Sequence, residues 1–266
     1  MDTRSSTYVY SNHSAVAATH HQHLAAICDR QTKAVLSGLR VPLAGARCLE
    51  VGAGAGSVAS WLAEQVGQDG QVLATDLHPM PIPDHPQLEV LRHDIVNQPV
   101  PTGRWDLIHA RLLLMHLPQR VDVLHKLAAA LSPGGVLVVE DWDHTWRAGR
   151  VLRTPSPAAK ALWLTYHDAL LKVFEEAGVD PGWASRAAAV MSDAGLVEIS
   201  AHIQADSWPG GSCGVQLAVT SISQLHDRLR ARGLSDKDLT HVIRMAADPD
   251  LVIRANPMVS TVGYQL

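Results

Sequence analysis

Apolar and polar positions along this chain switch between two rhythms. From about 14 to 39, apolar residues recur at helical spacing, with Leu24, Ile27, Ala34, Val35 and Leu39 among them, until "RVPLAG" breaks the pattern. Short apolar runs then alternate with longer helical ones. Strands are expected at about 47–51 (RCLEV), 71–76 (QVLATD), 88–92 (LEVLR), 105–109 (WDLIH) and 136–140 (VLVVE). Helices are expected between them at 57–66 (SVASWLAEQV) and 119–131 (QRVDVLHKLAAAL). The Ala-rich stretch 155–195 and the stretch 221–247 read as helical, while 196–205 and the final "PMVSTVGYQL" read as strands. Apolar strands alternating with helices predict an α/β fold, a doubly wound and mostly parallel seven-stranded sheet covered on both faces.

Two stretches stand outside that alternation. Residues 1–40 form an expected N-terminal helical lid, and about 145–195 an expected helical insertion within a main domain spanning 41–266. The chain has 266 residues, 47% hydrophobic and 18% charged, enough for a full core. A net charge of −4 argues against nucleic acid as the main partner. Cys28, Cys48 and Cys213 are widely spaced with no CxxC pair, which points away from zinc and disulfides and toward a reducing compartment. The first residues lack the apolar core of a signal peptide, and no apolar run approaches the ~20 residues of a membrane span. A cytoplasmic protein with no membrane partner is expected, in a form compatible with a homodimer.

The chemistry concentrates where the first strand ends. "CLEVGAGAGS" places Gly52, Gly54 and Gly56 in alternation between that strand and a helix. Two ligand classes use a strand, a glycine turn and a helix. The dinucleotide fingerprint GxGxxG/A fails here, because Ser57 occupies its third position. Glu50, two residues before the first glycine, would repel a pyrophosphate but suits a ligand with a cationic amine. S-adenosyl-L-methionine carries such an amine and a sulfonium, and no phosphate.

On these residues the chain resembles the class I S-adenosyl-L-methionine-dependent methyltransferases, over about 45–142. It is most similar to bacterial small-molecule members with an N-terminal helical lid. Glu50 through Gly56 matches the family's acid-x-GxGxG motif. Asp76 matches the acid that ends the second strand and holds the ribose hydroxyls. Two carboxylate oxygens can accept from two vicinal hydroxyls, which explains that residue type. Asp94 in "LRHDI" matches the acid near the adenine amino group. "WDLIHARLLLMHLP" and "ALSPGGVLVVEDW" match the fourth and fifth strand segments. The resemblance implies a Rossmann-like methyltransferase fold, S-adenosyl-L-methionine as cofactor, and Leu77, Ile95 and Ala110 as further cofactor neighbours. The chain departs from the family at "HPMPIPDHPQ", where four prolines exclude the usual helix. Adenine-packing residues between Leu77 and Gln87 therefore do not carry over directly.

Methyl transfer is an in-line displacement that needs alignment, a dry site and, for a protonated nucleophile, a base. Among 15 histidines, His116 and His109 are the candidate bases, since both fall near the carboxyl end of the fourth strand. A structural role competes for each. Arg111 is expected either to hold an acceptor oxygen or to fix its loop. Tyr8, Tyr10 and His13 of the lid, with Trp142, His144 and Tyr166, are the expected substrate contacts. A solvated tail and plain core packing are the competing readings for the lid residues and for Trp142. "HHQH" at 20–23 puts only His20 and His23 on one helix face, too few ligands for a metal, and none is expected. The N-methylating Asn/Asp-Pro-Pro-aromatic tetrapeptide is absent.

The leading expectation is a methyltransferase acting on a small, aromatic-containing metabolite of bacterial specialised metabolism, with oxygen favoured over carbon or nitrogen. An S-adenosyl-L-methionine-dependent enzyme of the same fold performing cyclisation, or methylation coupled to cyclisation, is the alternative. Methylation of RNA or protein, a non-catalytic cofactor-binding partner and a nicotinamide-dependent dehydrogenase follow in that order.

Overall fold

A computed structural model describes residues 9–12, 14–146 and 149–266. Helix α1 (Ala17–Ser37) precedes β1 (Arg47–Val51), α2 (Ser57–Val66), β2 (Gln71–Asp76), β3 (Leu88–Arg92) and β4 (Trp105–Arg111). A short 3-10 turn (Leu114–His116), α3 (Arg120–Ala129) and β5 (Leu131–Trp142) follow. Then come β6 (Val151–Arg153), α4 (Pro157–Glu176), α5 (Ala187–Asp193), β7 (Val197–Gln204) and β8 (Ser207–Pro209). The chain closes with α6 (Cys213–Ala231), α7 (Asp236–Ala246), β9 (Val252–Arg254) and β10 (Met258–Tyr264).

Seven strands form one sheet in the order β3-β2-β1-β4-β5-β10-β7. The first five are parallel, and β10 runs antiparallel between β5 and β7. The expected doubly wound, mostly parallel Rossmann-like sheet is thus the observed one. Its central strands are buried on both faces, so β1 and β2 read as nearly continuous apolar runs. On one face Val58, Ala59, Leu62, Ala63 and Val66 of α2 pack with Leu36, Cys48, Val72 and Val138. On the other face α3, α4 and α5 build the larger core. The crevice at the carboxyl ends of β1 and β4 is the switch point of the sheet, where α/β folds bind ligands.

Several expectations are corrected in detail. The helical region 155–195 is interrupted after Glu176, because Gly178 adopts a left-handed φ of 82° and Pro181 follows. The guanidinium of Arg120 pins that break through the carbonyl of Gly178 (2.6 Å) and Asp180 (3.2 Å). The region 221–247 is two helices, starting earlier at Cys213 and split before Ser235. That serine caps α7 in a reciprocal capping box with Asp238. The three-stranded sheet β6-β9-β8 was not expected, since strands of three residues are too short to carry an alternating pattern. The proline-rich segment 77–87 contains no helix, as anticipated. Among the described residues no helix is long and apolar enough to cross a membrane.

Candidate active site

The crevice at the switch point opens into a cavity of about 1070 Å³. Glu50, Gly52, Gly54, Asp76, Leu77, Asp94 and Ile95, the residues matched to the family's cofactor positions, all line it. The three loop glycines have φ of 75°, 53° and 78°, the left-handed region that disfavours side chains. Two close approaches also explain the glycines. A Cβ on Gly54 would come within 2.7 Å of the His21 ring of α1, and one on Gly56 would overlap Ile82 of the proline-rich loop. Gly56 itself does not line the cavity; it serves as the N-cap of α2.

Asp76 is held in place from both sides. One carboxylate oxygen accepts from the Gly54 amide (2.9 Å) and the other from the His78 amide (2.8 Å). A carboxylate has about four lone-pair sites, so two remain for a ligand. Asp94 accepts from the amides of Val96 (2.9 Å) and Asn97 (3.2 Å) and from the Asn97 side chain (2.8 Å). Partial burial opposes ionisation of Asp94, but those hydrogen bonds win and hold its carboxyl below the usual range. Asn12, His21 and Leu24 of the N-terminal segment also line this cavity. His21 shares a hydrogen bond with Asn12 (3.0 Å), and the Asn12 amide donates to the His78 carbonyl (3.2 Å).

The residues at the end of β4 are placed differently from expectation. His109 is fully buried within the sheet and lines neither cavity of the site. Its Nδ1 lies 2.6 Å from Glu50 and its Nε2 3.2 Å from Glu140 of β5. Burial alone would lower its pKa, but the two carboxylates outweigh that and raise it to about 9. A charged imidazolium with both nitrogens engaged has no lone pair for a substrate proton. His109 is therefore a positioning residue.

Arg111 lines the larger cavity only. It donates to Thr32 and to Asp29 of α1 (2.9 Å each). Of its two expected roles, this geometry matches the fixing of structure. Ala110 is buried in the sheet beside Val51 and Val139 and makes no part of the cavity wall. After Arg111, Leu112 turns the chain with φ of 52°, strained for a bulky residue. Its amide donates to the Glu140 carbonyl (2.7 Å), and the turn delivers the short helix bearing His116.

His116 stands at a boundary. It lines the large cavity and also a smaller chamber of about 120 Å³, as do Leu24 and Leu112. Tyr10, Trp142, His144 and Tyr166 all line that chamber, with Trp163, His167, Phe174 and Trp208. Phe174 in that wall lies edge-on to Tyr10, His116 and His144 at centroid distances of 5.9, 6.4 and 5.7 Å. Burial lowers His116 to about 4, with Arg120 adding to the effect, so the ring is neutral near pH 7. Tyr8 and His13 lie outside the described residues. Trp146, four residues beyond Trp142, is exposed.

Sequence reasoning missed Thr32, Asp29, Ser57 and Ser260. The Thr32 hydroxyl donates to Glu140, whose other oxygen accepts from Ser260 (2.5 Å). The Ser57 hydroxyl donates to Asp29 (3.1 Å). One signal was present: Cys28, Thr32 and Leu36 share a buried stripe of α1 at four-residue spacing, so a polar residue sits where an apolar one is expected.

The cavity chemistry fits S-adenosyl-L-methionine. Three acids, Glu50, Asp76 and Asp94, face a glycine loop open to backbone approach, and Arg111 is already paired with Asp29. That lining repels a pyrophosphate and favours a cationic ligand. A family model for the methyltransferase domain matches residues 20–238.

The chain belongs to the methyltransferase-domain family.

The matched stretch is a methyltransferase domain, the kind of domain that S-adenosyl-L-methionine serves as methyl donor. The chain is 38% identical over 103 residues to the methyltransferase str3 of Strobilurus tenacellus, covering 36% of this chain and 35% of that one. The chain thus spans about a third of the length of that relative. Among solved structures it resembles a cyclopropane-fatty-acyl-phospholipid synthase-like protein of Lactobacillus casei, with a TM-score of 0.57, 16% identity and 97% of each chain covered. It also resembles phosphoethanolamine N-methyltransferase 2 of Haemonchus contortus in complex with S-adenosyl-L-methionine. There the TM-score is 0.53 at 12% identity, covering 89% of this chain and 52% of that one. At these identities the two structures show a shared fold. Within the methyltransferase, Glu50, Asp76 and Asp94 with the glycine loop are the residues suited to hold the cofactor.

Proposed function

We propose that this methyltransferase transfers a methyl group to an oxygen of a small, ring-bearing molecule seated in the inner chamber, with His116 receiving the acceptor's proton. The observation that carries this reading is the position of His116. It is the one titratable side chain shared by the two cavity linings among the described residues.

When bound, S-adenosyl-L-methionine supplies an electrophilic methyl group on a sulfonium. The protein's part is alignment, exclusion of water and proton removal. Leu24 and Leu112 flank His116 where the two spaces meet and keep that passage apolar. His116 is neutral, so a ring nitrogen can accept a proton. A pKa of about 4 makes it a weak base, matched to a proton that becomes acidic only as the oxygen gains its methyl group. Glu50, Asp76 and Asp94 orient the cofactor, and the lid contacts of Asn12 and His21 cover it.

The test is turnover of hydroxylated single-ring compounds with S-adenosyl-L-methionine, read by product mass. A gain of one methylene unit on oxygen supports the reading. An isomer of the substrate means cyclisation, and products methylated only on amines overturn the oxygen assignment.

A further inference from the structure

The inner chamber is small and aromatic, yet it is not chemically plain. At about 120 Å³ it approaches the roughly 150 Å³ of an apolar cavity that takes up one benzene ring. Its walls carry Trp142, Trp163, Tyr166 and Phe174, which favour edge and face contact with a flat ring. Among the described lining residues there is no aspartate or glutamate, while Arg150 and Arg254 are both present.

His144 is the anomaly in this wall. It is only 4% exposed, and its buried Nδ1 has no hydrogen-bond partner among the described residues. Trp142, His167 and Phe174 surround it with ring contacts at 6.1, 6.5 and 5.7 Å. Burial, with Arg150 and His116 nearby, depresses its pKa to about 3. A neutral imidazole has one N–H donor and one acceptor nitrogen, and leaving Nδ1 without a partner in an apolar wall is unfavourable in either role.

His20 adds a second polar point whose tautomer can be read. The Thr220 hydroxyl donates to the Leu217 carbonyl (3.1 Å), so it must accept from His20 Nδ1 (2.8 Å). The Nε2 of His20 is then an acceptor, on a residue that also lines the chamber.

We infer that the chamber recognises a single ring bearing a second, non-reacting hydroxyl that hydrogen-bonds to His144, and that it excludes cationic amines. The inference rests on the acceptor reading given above. A hydroxyl both donates and accepts, so it satisfies whichever nitrogen of His144 it meets. One hydroxyl of the acceptor would face His116 and the cofactor cavity, and the other would face His144, with the ring against Phe174 between them. A protonated amine would find two arginines and no carboxylate, and its desolvation would go uncompensated.

The full chain saturated with S-adenosylhomocysteine would be titrated with phenol, with each of the dihydroxybenzenes and with benzylamine, by calorimetry and tryptophan fluorescence. At least one dihydroxybenzene should bind about tenfold more tightly than phenol, and benzylamine should show no binding. His144→Phe should abolish the preference for the second hydroxyl while phenol affinity stays within about twofold. His144→Gln, which restores a donor and an acceptor, should recover part of it. Circular dichroism and S-adenosylhomocysteine affinity report whether each variant is folded. Benzylamine binding as tightly as phenol overturns the inference, as does a preference unchanged in both variants or no binding of any ring. In those cases intact S-adenosylhomocysteine binding leaves the methyltransferase reading standing. Loss of S-adenosylhomocysteine binding by the wild-type protein would instead count against that reading itself.

Discussion

The imidazole of His109 lies 2.6 Å from the carboxylate of Glu50, and both side chains are sealed inside the sheet. The pair ties β1 to β4 directly beneath the glycine loop. Through Nε2 it continues to Glu140, and from there to Thr32 of the lid helix and Ser260 of β10. One buried polar network thus joins α1 to Glu50 in the wall of the larger cavity. Breaking a buried pair on one side leaves a charge uncompensated, which costs about 3–5 kcal/mol. His109→Leu should therefore lower unfolding free energy by about that amount in denaturant titrations. An unchanged midpoint would mean the network contributes little.

The same pair predicts a dependence on alkaline pH. The folded pKa of His109, about 9, stands above its ordinary 6.5, so the folded state binds the proton more tightly. Its contribution to stability is full below 6.5 and is lost as pH rises through about 9. Unfolding free energy measured across that window should fall with pH, and His109→Gln should flatten the slope.

The acid side is governed by the chamber histidines. His20 and His116 are depressed to about 4 and His144 to about 3, in each case mainly by burial. The unfolded chain takes up these protons near 6.5 while the folded chain does not, so stability falls as pH drops from 6.5 toward 4. Each pKa unit of difference corresponds to about 1.4 kcal/mol. His116→Phe should reduce the acid sensitivity seen by thermal melting between pH 7 and 5. An unaltered acid slope would show that His116 does not contribute.

Gly54→Val tests the loop. Its φ of 53° disfavours a β-branched residue, and a Cβ there would meet the His21 ring at 2.7 Å. Binding of S-adenosyl-L-methionine should be lost in calorimetry while the secondary structure stays near wild type. Asp76→Ala should have the same effect on binding, because it removes the ligand acceptors and the anchor for the Gly54 and His78 amides.

His116→Ala separates catalysis from structure. Turnover should drop by about tenfold or more, with cofactor affinity unchanged. Normal turnover would reduce His116 to a wall of the passage.

The sheet was legible because its signals are local. Apolar runs at 47–51, 71–76 and 136–140 are strands buried on both faces, and glycine or proline punctuates their ends. The acids of the cavity wall were legible for a related reason. Glu50, Asp76 and Asp94 each sit at or just beyond a strand terminus, so spacing along the chain places them at one edge of the sheet. The breaks at Gly178 and Gly233 had local signals too, but long Ala- and Leu-rich stretches on either side masked them.

The α/β class and the glycine loop at the end of the first strand, with acids that suit S-adenosyl-L-methionine, were readable along the chain alone, because periodicity and glycine spacing encode local conformation. Only the tertiary structure separated His109 from His116. The two lie seven residues apart at the end of one strand, with similar composition around them. One faces into the sheet between two carboxylates from β1 and β5, and the other follows a strained turn at Leu112 into the cavity wall. Burial and charge partners come from residues distant in the chain, and those partners make one imidazole a fixed cation and the other a neutral acceptor.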